Sequence, residues 1–294
     1  MGYAFSSGTE LLDLTDKHGT AISDITINYS AEQQNLAGLD ILGEMQRRLQ
    51  VIREAIDLGM QHAERSASGL SGGDAQRLTA YAPDVPLLGQ PVKQAITYSF
   101  AIMEHNARFG RIVAFPTAGS AGTVPGCLLA AAEALGKDDA ALVRAMFTSA
   151  GIGMIIGNNA MLAGATGGCQ AEVGSASAMA AAALTELRGG SPDQCFQAAA
   201  IALKGLLGLV CDPIGGLVEA PCVKRNATAI ANAFMASDLA LAGIVSNVPF
   251  DEVVEAMRNI GRSMPASLRE TAKGGLAATE TGKRVWCAVM GDES

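Results

Sequence analysis

Runs of small residues restrict the possible folds of this chain most. Alanine fills stretches such as 180–183 and 198–200, and alanine combines the highest helix propensity with a side chain small enough to let helices approach closely. Aromatic residues make up only 4% of the 294 residues, which disfavours a β-sandwich core. We therefore expect a mainly α fold, a compact helical domain built from closely packed helices.

Hydrophobic residues repeat with helical spacing along most of the sequence. One apolar face steps by three and four residues and predicts an amphipathic helix ending near Gly59; its members are Leu42, Met45, Leu49, Ile52 and Ile56. Further helices are expected at about 92–108, 126–136, 138–157, 175–188, 192–209, 225–246 and 250–262. Ser191 followed by Pro192 is a typical helix start. With 49% hydrophobic residues, we expect one domain over residues 1–294 rather than two small ones.

Charge and hydropathy exclude several functional classes. The net charge is -8, and the lysines and arginines are scattered, so there is no basic surface for nucleic acid or an anionic membrane. The N-terminal residues lack a secretory signal pattern, which favours a cytoplasmic protein. No charged residue lies between Arg144 and Glu172, but the apolar runs there are shorter than the roughly 20 residues that span a bilayer. A buried central helix is the better interpretation.

Three cysteines lie in loops marked by glycine or proline. They are Cys169 in GGCQAEVG, Cys211 in LVCDPIGG and Cys222 in EAPCVKRN. Disulfides are rare in cytosolic proteins, so these thiols are better interpreted as ligands of a soft metal or an iron–sulfur cluster than as cross-links. Such a group points to an enzyme. Cys127 and Cys195 lie in apolar helical segments, where buried structural thiols are common.

A glycine-rich segment, FPTAGSAGTVPG at residues 115–126, comes directly before a predicted helix. Its backbone N–H groups and the hydroxyls of Thr117, Ser120 and Thr123 would gather at the helix N-terminus, where anions bind. No Gly-Lys-Ser/Thr sequence follows, so a carboxylate fits better than a nucleotide. The alternative is a tight turn that only permits close helix packing.

Four segments together resemble one known family. They are MEHNARFGRIVAFPTAGSAGTVPG, GCQAEVGSASAMAAAAL, GLVCDPIGGLVEAPCVKRNA and LRETAKGGLA. In sequence and order they are similar to the α chain of the iron–sulfur-dependent L-serine dehydratases, over nearly the whole chain. The cysteine separations of 42 and 11 positions are also similar to the spacing of that family's cluster ligands.

The resemblance implies an activity and its cofactor. The fold would gather its glycine-rich loops around a 4Fe-4S cluster held by Cys169, Cys211 and Cys222, and the iron without a cysteine would act as a Lewis acid on the hydroxyl of L-serine. Loss of water would give pyruvate and ammonia, without pyridoxal phosphate. The Thr117, Ser120 and Gly122 loop would bind the substrate carboxylate. A separate regulatory β chain is expected as partner, because no regulatory segment stands ahead of Ser6.

Other roles are less sharply defined by the sequence. The general base is expected to be Lys273, in the ETAKGGLA motif, or His105, whose alternative is a structural histidine. Arg269 is expected to be structural or to pair with a carboxylate. Glu172 and Asn226 lie within four positions of a cysteine and are expected to orient ligands, and Asn226 is also assigned to substrate binding.

Cys287 departs from the pattern of the family. In single-chain relatives a C-terminal cysteine caps the fourth iron, whereas here the cysteine precedes seven further residues. Two-chain relatives generally lack such a cysteine. Whether Cys287 reaches the cluster is therefore left open.

Two alternative functions share these features. A cysteine desulfidase of the same fold eliminates a β-thiol by similar chemistry, and a non-catalytic iron–sulfur sensor or scaffold would keep the cluster without turnover. The intact PTAGSAG loop favours a catalyst, because a sensor has no need of a carboxylate site.

Overall fold

The computed structural model describes residues 2–82 and 85–290, and the chain is helical through most of this range. The first six α-helices are α1 (Gly8–His18), α2 (Ile22–Gln34), α3 (Gly38–Gln61), α4 (Asp74–Ala80), α5 (Gly89–Ala107) and α6 (Thr123–Leu135). The others are α7 (Asp139–Asn159), α8 (Gly164–Gly167), α9 (Ser175–Leu187), α10 (Pro192–Lys204), α11 (Cys222–Leu241), α12 (Phe250–Ser263) and α13 (Glu280–Met290). A π-helical turn, Gln170–Gly174, leads into α9.

Helix α9 forms the centre of the structure. It packs against α6, α7, α10 and α11, and residues 180–183 are fully buried alanines. Because alanine adds little bulk, four helices can approach α9 closely. The expected mainly α fold is confirmed, and the pairing of Cys211 with Arg269 is an isolated bridge that belongs to no strand in the described ranges.

Helix α7 contains most of the charge-free stretch. It is long and apolar enough to cross a membrane, but 67% of its most apolar window is buried inside the protein. It packs against α2 and α9, and Arg144 on its first turns pairs with Asp24 at 2.7 Å. The predicted buried helix is therefore confirmed.

The predicted helix boundaries are correct to within a few residues in most places. Ser191 caps α10, and the side chain of Gln194 bonds back to the Ser191 N–H group, which forms a capping box. However, α10 ends at Lys204 rather than near 209, and α11 ends at Leu241 rather than near 246. Lys204, the last residue of α10, donates to the carbonyl of Ser246 in the loop between α11 and α12, so this loop lies against the end of α10 where a longer helix was predicted. The short or polar helices α1, α2, α4, α8 and α13 were not predicted.

Gly59 has a different role from the one its sequence position suggests. It lies inside α3, which continues to Gln61. A Cβ atom at Gly59 would overlap the backbone of Ala101 in α5. The glycine therefore allows α3 and α5 to touch, and does not end the helix.

Gly59→Ala should destabilise the protein by about 1–3 kcal/mol, because the added methyl group forces α3 and α5 apart. Gly43→Ala, in the same helix, is the matched control: a Cβ there has open space apart from the tip of Arg47, and alanine favours the helix by about 1 kcal/mol over glycine. Urea denaturation of both variants measures the difference. Equal stability of the two variants would contradict the assigned contact.

Candidate active site

The three loop cysteines are buried and come from separate elements. Cys169 precedes the π-helical turn, Cys211 lies in the extended segment after α10, and Cys222 is the first residue of α11. Their exposed fractions are 2%, 3% and 6%. Cys169 and Cys211 share a hydrogen bond and pack in one small cluster with Val173 and Ala229.

Backbone bonds hold the segments of Cys169 and Cys211 together. The Cys211 N–H donates to the carbonyl of Leu268 at 2.9 Å, and the Cys211 carbonyl accepts from the Glu270 N–H at 2.7 Å. On the other side, the Gln170 N–H donates to the carbonyl of Leu209 at 3.0 Å. The segment after α12 and the turn before α9 thus meet along the strand-like stretch that contains Cys211.

The three thiols differ in their electrostatic environment. The bond from Cys211 lowers the pKa of Cys169, and the nearby Arg225 guanidinium adds to this effect. The same bond raises the pKa of Cys211, and burial raises that of Cys222 to about 12. Of the three thiols, Cys169 is therefore the one whose pKa its surroundings lower.

Two carboxylates border the cysteines around Gly164. A Cβ atom on Gly164 would lie 2.7 Å from Glu172 Oε1, 2.8 Å from Cys211 Sγ and 3.3 Å from Glu270 Oε2. Only glycine fits this close approach, since a Cβ atom would force these side chains to shift. Burial, followed by the charge of Glu172, raises the pKa of Glu270.

Glu270 and Gly164 were not predicted from the sequence. Glu270 adopts a left-handed backbone with φ of 61°, and its carboxylate faces Gly164, which lies more than a hundred positions earlier in the chain. The LRETAKGGLA motif contained Glu270, but nothing in the local sequence identified its partner.

The glycine-rich loop contacts this region through Glu172. Thr117 Oγ1 donates to Glu172 Oε2 at 2.8 Å, and the Gly164 N–H donates to the other carboxylate oxygen at 2.8 Å. Ser120 Oγ donates to the carbonyl of Phe115 at 2.8 Å and lies 3.2 Å from Thr117 Oγ1. Glu172 thus joins the loop to the turn that follows Cys169.

Asn226 connects the same loop to Cys222. Its amide nitrogen donates to the carbonyls of Gly119 and Cys222, both at 2.9 Å, and its oxygen accepts from Thr123 Oγ1 at 2.8 Å. Asn226 is fully buried, so it fixes the start of α6 against the start of α11.

Gly122 lies at a close helix contact. A Cβ atom there would overlap both the backbone and the hydroxyl of Ser99 in α5. Gly122 therefore lets the start of α6 pack closely against α5, as expected if the loop is a tight turn that permits helix packing. Its role in carboxylate binding stays a prediction.

A serine-rich loop covers the segment before Cys222. Ser66 and Ser68 donate to the carboxylate of Glu219 at 2.5 and 2.7 Å, and Ser71 donates to the same group. Glu219 is buried and stands three positions before Cys222. Nothing in the local sequence of this loop identified Glu219 as its partner.

The two predicted bases lie in different surroundings. Lys273 is exposed and lines a cavity of about 450 Å³ together with Trp286 and the exposed Cys287. His105 lies near the end of α5 against Gly110, and burial lowers its pKa. The Nε atom of Arg269 is buried, with no hydrogen-bond partner in the described part of the chain.

Cys127 and Cys195 have the structural environment predicted for them. Both are fully buried, and burial raises the pKa of each thiol. His18 and His62 are both exposed.

The donor chemistry of the site fits a soft metal or an iron–sulfur cluster, because its cysteines offer thiolate sulfur. Within residues 2–82 and 85–290, no group of three His, Cys, Asp or Glu side chains could hold one metal ion. A cluster distributes its thiolate ligands over several iron atoms. Three buried thiols on separate elements suit that arrangement.

Comparisons with known proteins agree on one family. Residues 17–277 match the family model described as "Serine dehydratase alpha chain". The "Probable L-serine dehydratase, alpha chain" of Bacillus subtilis is 47% identical over 288 residues, which cover 98% of this chain and 96% of that protein. The "L-serine dehydratase, alpha chain" of Peptoniphilus asaccharolyticus is 41% identical, with 95% and 96% covered.

A longer relative contains the same region. The "L-serine dehydratase TdcG" of Escherichia coli is 34% identical over 288 residues, which cover 94% of this chain but 62% of that protein. The order of the motifs, the matched length and the sequence identities all indicate the same family. The chain therefore belongs to the serine dehydratase alpha chain family.

Proposed function

We propose that this chain is the catalytic α subunit of an L-serine dehydratase, a lyase that eliminates water from L-serine to give pyruvate and ammonia. The relatives named L-serine dehydratase support this activity. The observation that carries it is the packing of Cys169 against Cys211 beside Glu172 and Glu270, with the glycine-rich loop bonded to Glu172 and, through Asn226, to Cys222. The alternatives, a cysteine desulfidase and an iron–sulfur sensor or scaffold, gain no support from these relatives.

In this proposal, Cys169, Cys211 and Cys222 hold a 4Fe-4S cluster, and pyridoxal phosphate takes no part. When bound, the cluster supplies a Lewis acid for the departing hydroxide, since three thiolates leave one of its irons without a protein ligand. The burial of all three thiols supports this assignment, because it excludes competing ligands from the solvent.

The glycine-rich loop is proposed to bind the substrate carboxylate through Thr117, Ser120, Gly122 and Asn226. Ser120 has a single hydroxyl proton, which bonds to the Phe115 carbonyl, so binding would exchange one bond for a stronger, charge-assisted one. Asn226 uses both ends of its amide within the protein, and would hold the loop in position.

A general base must remove the Cα proton of serine. Lys273 and His105 are the proposed candidates. Lys273 is better supported, because its segment also contributes Glu270 beside Cys211.

A separate β chain is the proposed partner. The names of two relatives contain "alpha chain", and the longer relative has additional sequence beyond the matched region. A cytoplasmic location is proposed because all six cysteines are free thiols, as expected in a reducing compartment.

Cys169→Ala, Cys211→Ala and Cys222→Ala should each lose the brown colour, the broad absorbance near about 400 nm and pyruvate formation, since thiolate-to-iron charge transfer requires the ligands. Cys195→Ala, which removes an equally buried thiol from α10, should keep all three properties. The measurement is absorbance and iron content after anaerobic reconstitution. A full cluster with normal turnover in the three ligand variants would rule out this ligand set.

Exposure to air should abolish activity while the helices persist. An iron that is open to substrate is also open to oxidants, so activity should return when ferrous iron and a reductant are added. Far-UV circular dichroism and pyruvate formation are followed together in air and under argon. Equal activity over several hours in both gases would argue against an accessible iron.

Ser120→Ala should lower kcat/KM roughly ten- to hundred-fold, because it removes one charge-assisted hydrogen bond worth about 1.5–3 kcal/mol. The cluster spectrum should not change. Ser149→Ala is the matched control, since Ser149 is also a fully buried serine that donates to a backbone carbonyl. If both variants behave alike, Ser120 does not bind substrate.

A further inference from the structure

Arg225 is a buried cation beside the cysteines that neither the sequence motifs nor the proposed mechanism has used. Its Nη1 lies 3.4 Å from Cys169 Sγ and donates to the carbonyl of Val210 at 2.9 Å. Its Nη2 donates to Asp212 Oδ1 at 2.8 Å. The side chains of Arg225 and Asp212 are 16% and 4% exposed.

The guanidinium group is fixed in orientation. Asp212 directly follows Cys211, and its second carboxylate oxygen accepts from the Leu276 N–H at 2.8 Å. The Val210 carbonyl accepts a hydrogen bond from Arg225 Nη1 and holds the guanidinium group at a second position. Because the guanidinium is planar and always protonated, these bonds aim a permanent N–H donor and a positive charge at the sulfur of Cys169.

Packing alone does not explain why a buried arginine–aspartate pair lies beside Cys169. A buried ion pair is costly to desolvate and adds little stability by itself, and a neutral donor could satisfy the Val210 carbonyl. A sulfur atom accepts weakly as a thiol and strongly as a thiolate. The geometry is therefore most useful when Cys169 carries a negative charge.

We propose that Arg225, oriented by Asp212, is a positioning residue that donates a hydrogen bond to the Cys169 thiolate and sets the reduction potential of the cluster. This inference rests on the cluster of the proposed function. Hydrogen bonds to ligand sulfurs and the net charge of the site both tune such potentials. A cation at this position favours the reduced, more negative cluster, so its loss lowers the potential.

The test compares reconstituted wild type with Arg225→Met, Arg225→Lys and Arg144→Met. Arg144 is the matched control, because it also forms an arginine–aspartate pair, with Asp24, but on α7. In a redox titration followed by electron paramagnetic resonance, Arg225→Met should lower the ratio of reduced to oxidised cluster at a fixed potential by about tenfold, equivalent to about 59 mV for one electron. Arg225→Lys should shift it less, and Arg144→Met should match wild type.

The outcomes separate the two proposals. A wild-type protein that takes up no cluster removes the cofactor of the proposed function, and this inference with it. A wild-type cluster whose potential is unchanged in Arg225→Met overturns the role of Arg225 alone. If circular dichroism shows that Arg225→Met does not fold, the test uses Arg225→Lys instead. A cluster potential in Arg225→Lys equal to that of wild type then overturns the proposed role of Arg225.

Discussion

The close approach of α6, α9 and α11 is the contact on which the rest of the site depends. These three helices pack against one another, and each begins at the site: α6 within the glycine-rich segment, α9 after the turn that follows Cys169, and α11 at Cys222. Helix N-termini have a partial positive charge. Small residues in the helices therefore bring three such ends together where the thiols and carboxylates lie, and larger side chains at 180–183 would separate them.

The sequence predicted features that depend on neighbouring residues in the chain. It did not predict features that depend on contacts between distant residues. Helix α10 follows from Ser191 and Pro192 within a few residues, and the three cysteines follow from their loops. The position of Glu270 depends on bonds to Cys211, far away in the chain, which no local pattern records. Gly59 shows the same limit, because a glycine near a helix end and a glycine at a helix crossing look alike in one sequence.

The site contains more buried acid than base. Asp212 and Glu219 are nearly inaccessible, and Glu172 and Glu270 face each other across Gly164. Hydroxyl groups satisfy Glu219, and a hydroxyl and a backbone N–H satisfy Glu172, whereas Asp212 pairs with Arg225. Satisfying carboxylates with neutral donors leaves the local charge negative. A cationic group bound at the cysteines would therefore gain stability from the surrounding charge.

The segment after α12 has several roles, and the LRETAKGGLA motif did not show which of its residues has which role. Leu268 and Glu270 bond to the backbone of Cys211, the Leu276 N–H bonds to Asp212, and Lys273 between them faces the neighbouring cavity. One short irregular segment thus fixes a cysteine, orients the carboxylate that holds Arg225 and presents a lysine. An irregular backbone can point side chains in more directions than a helix allows, and the left-handed conformations of Glu270 and Ala272 are the cost of that freedom.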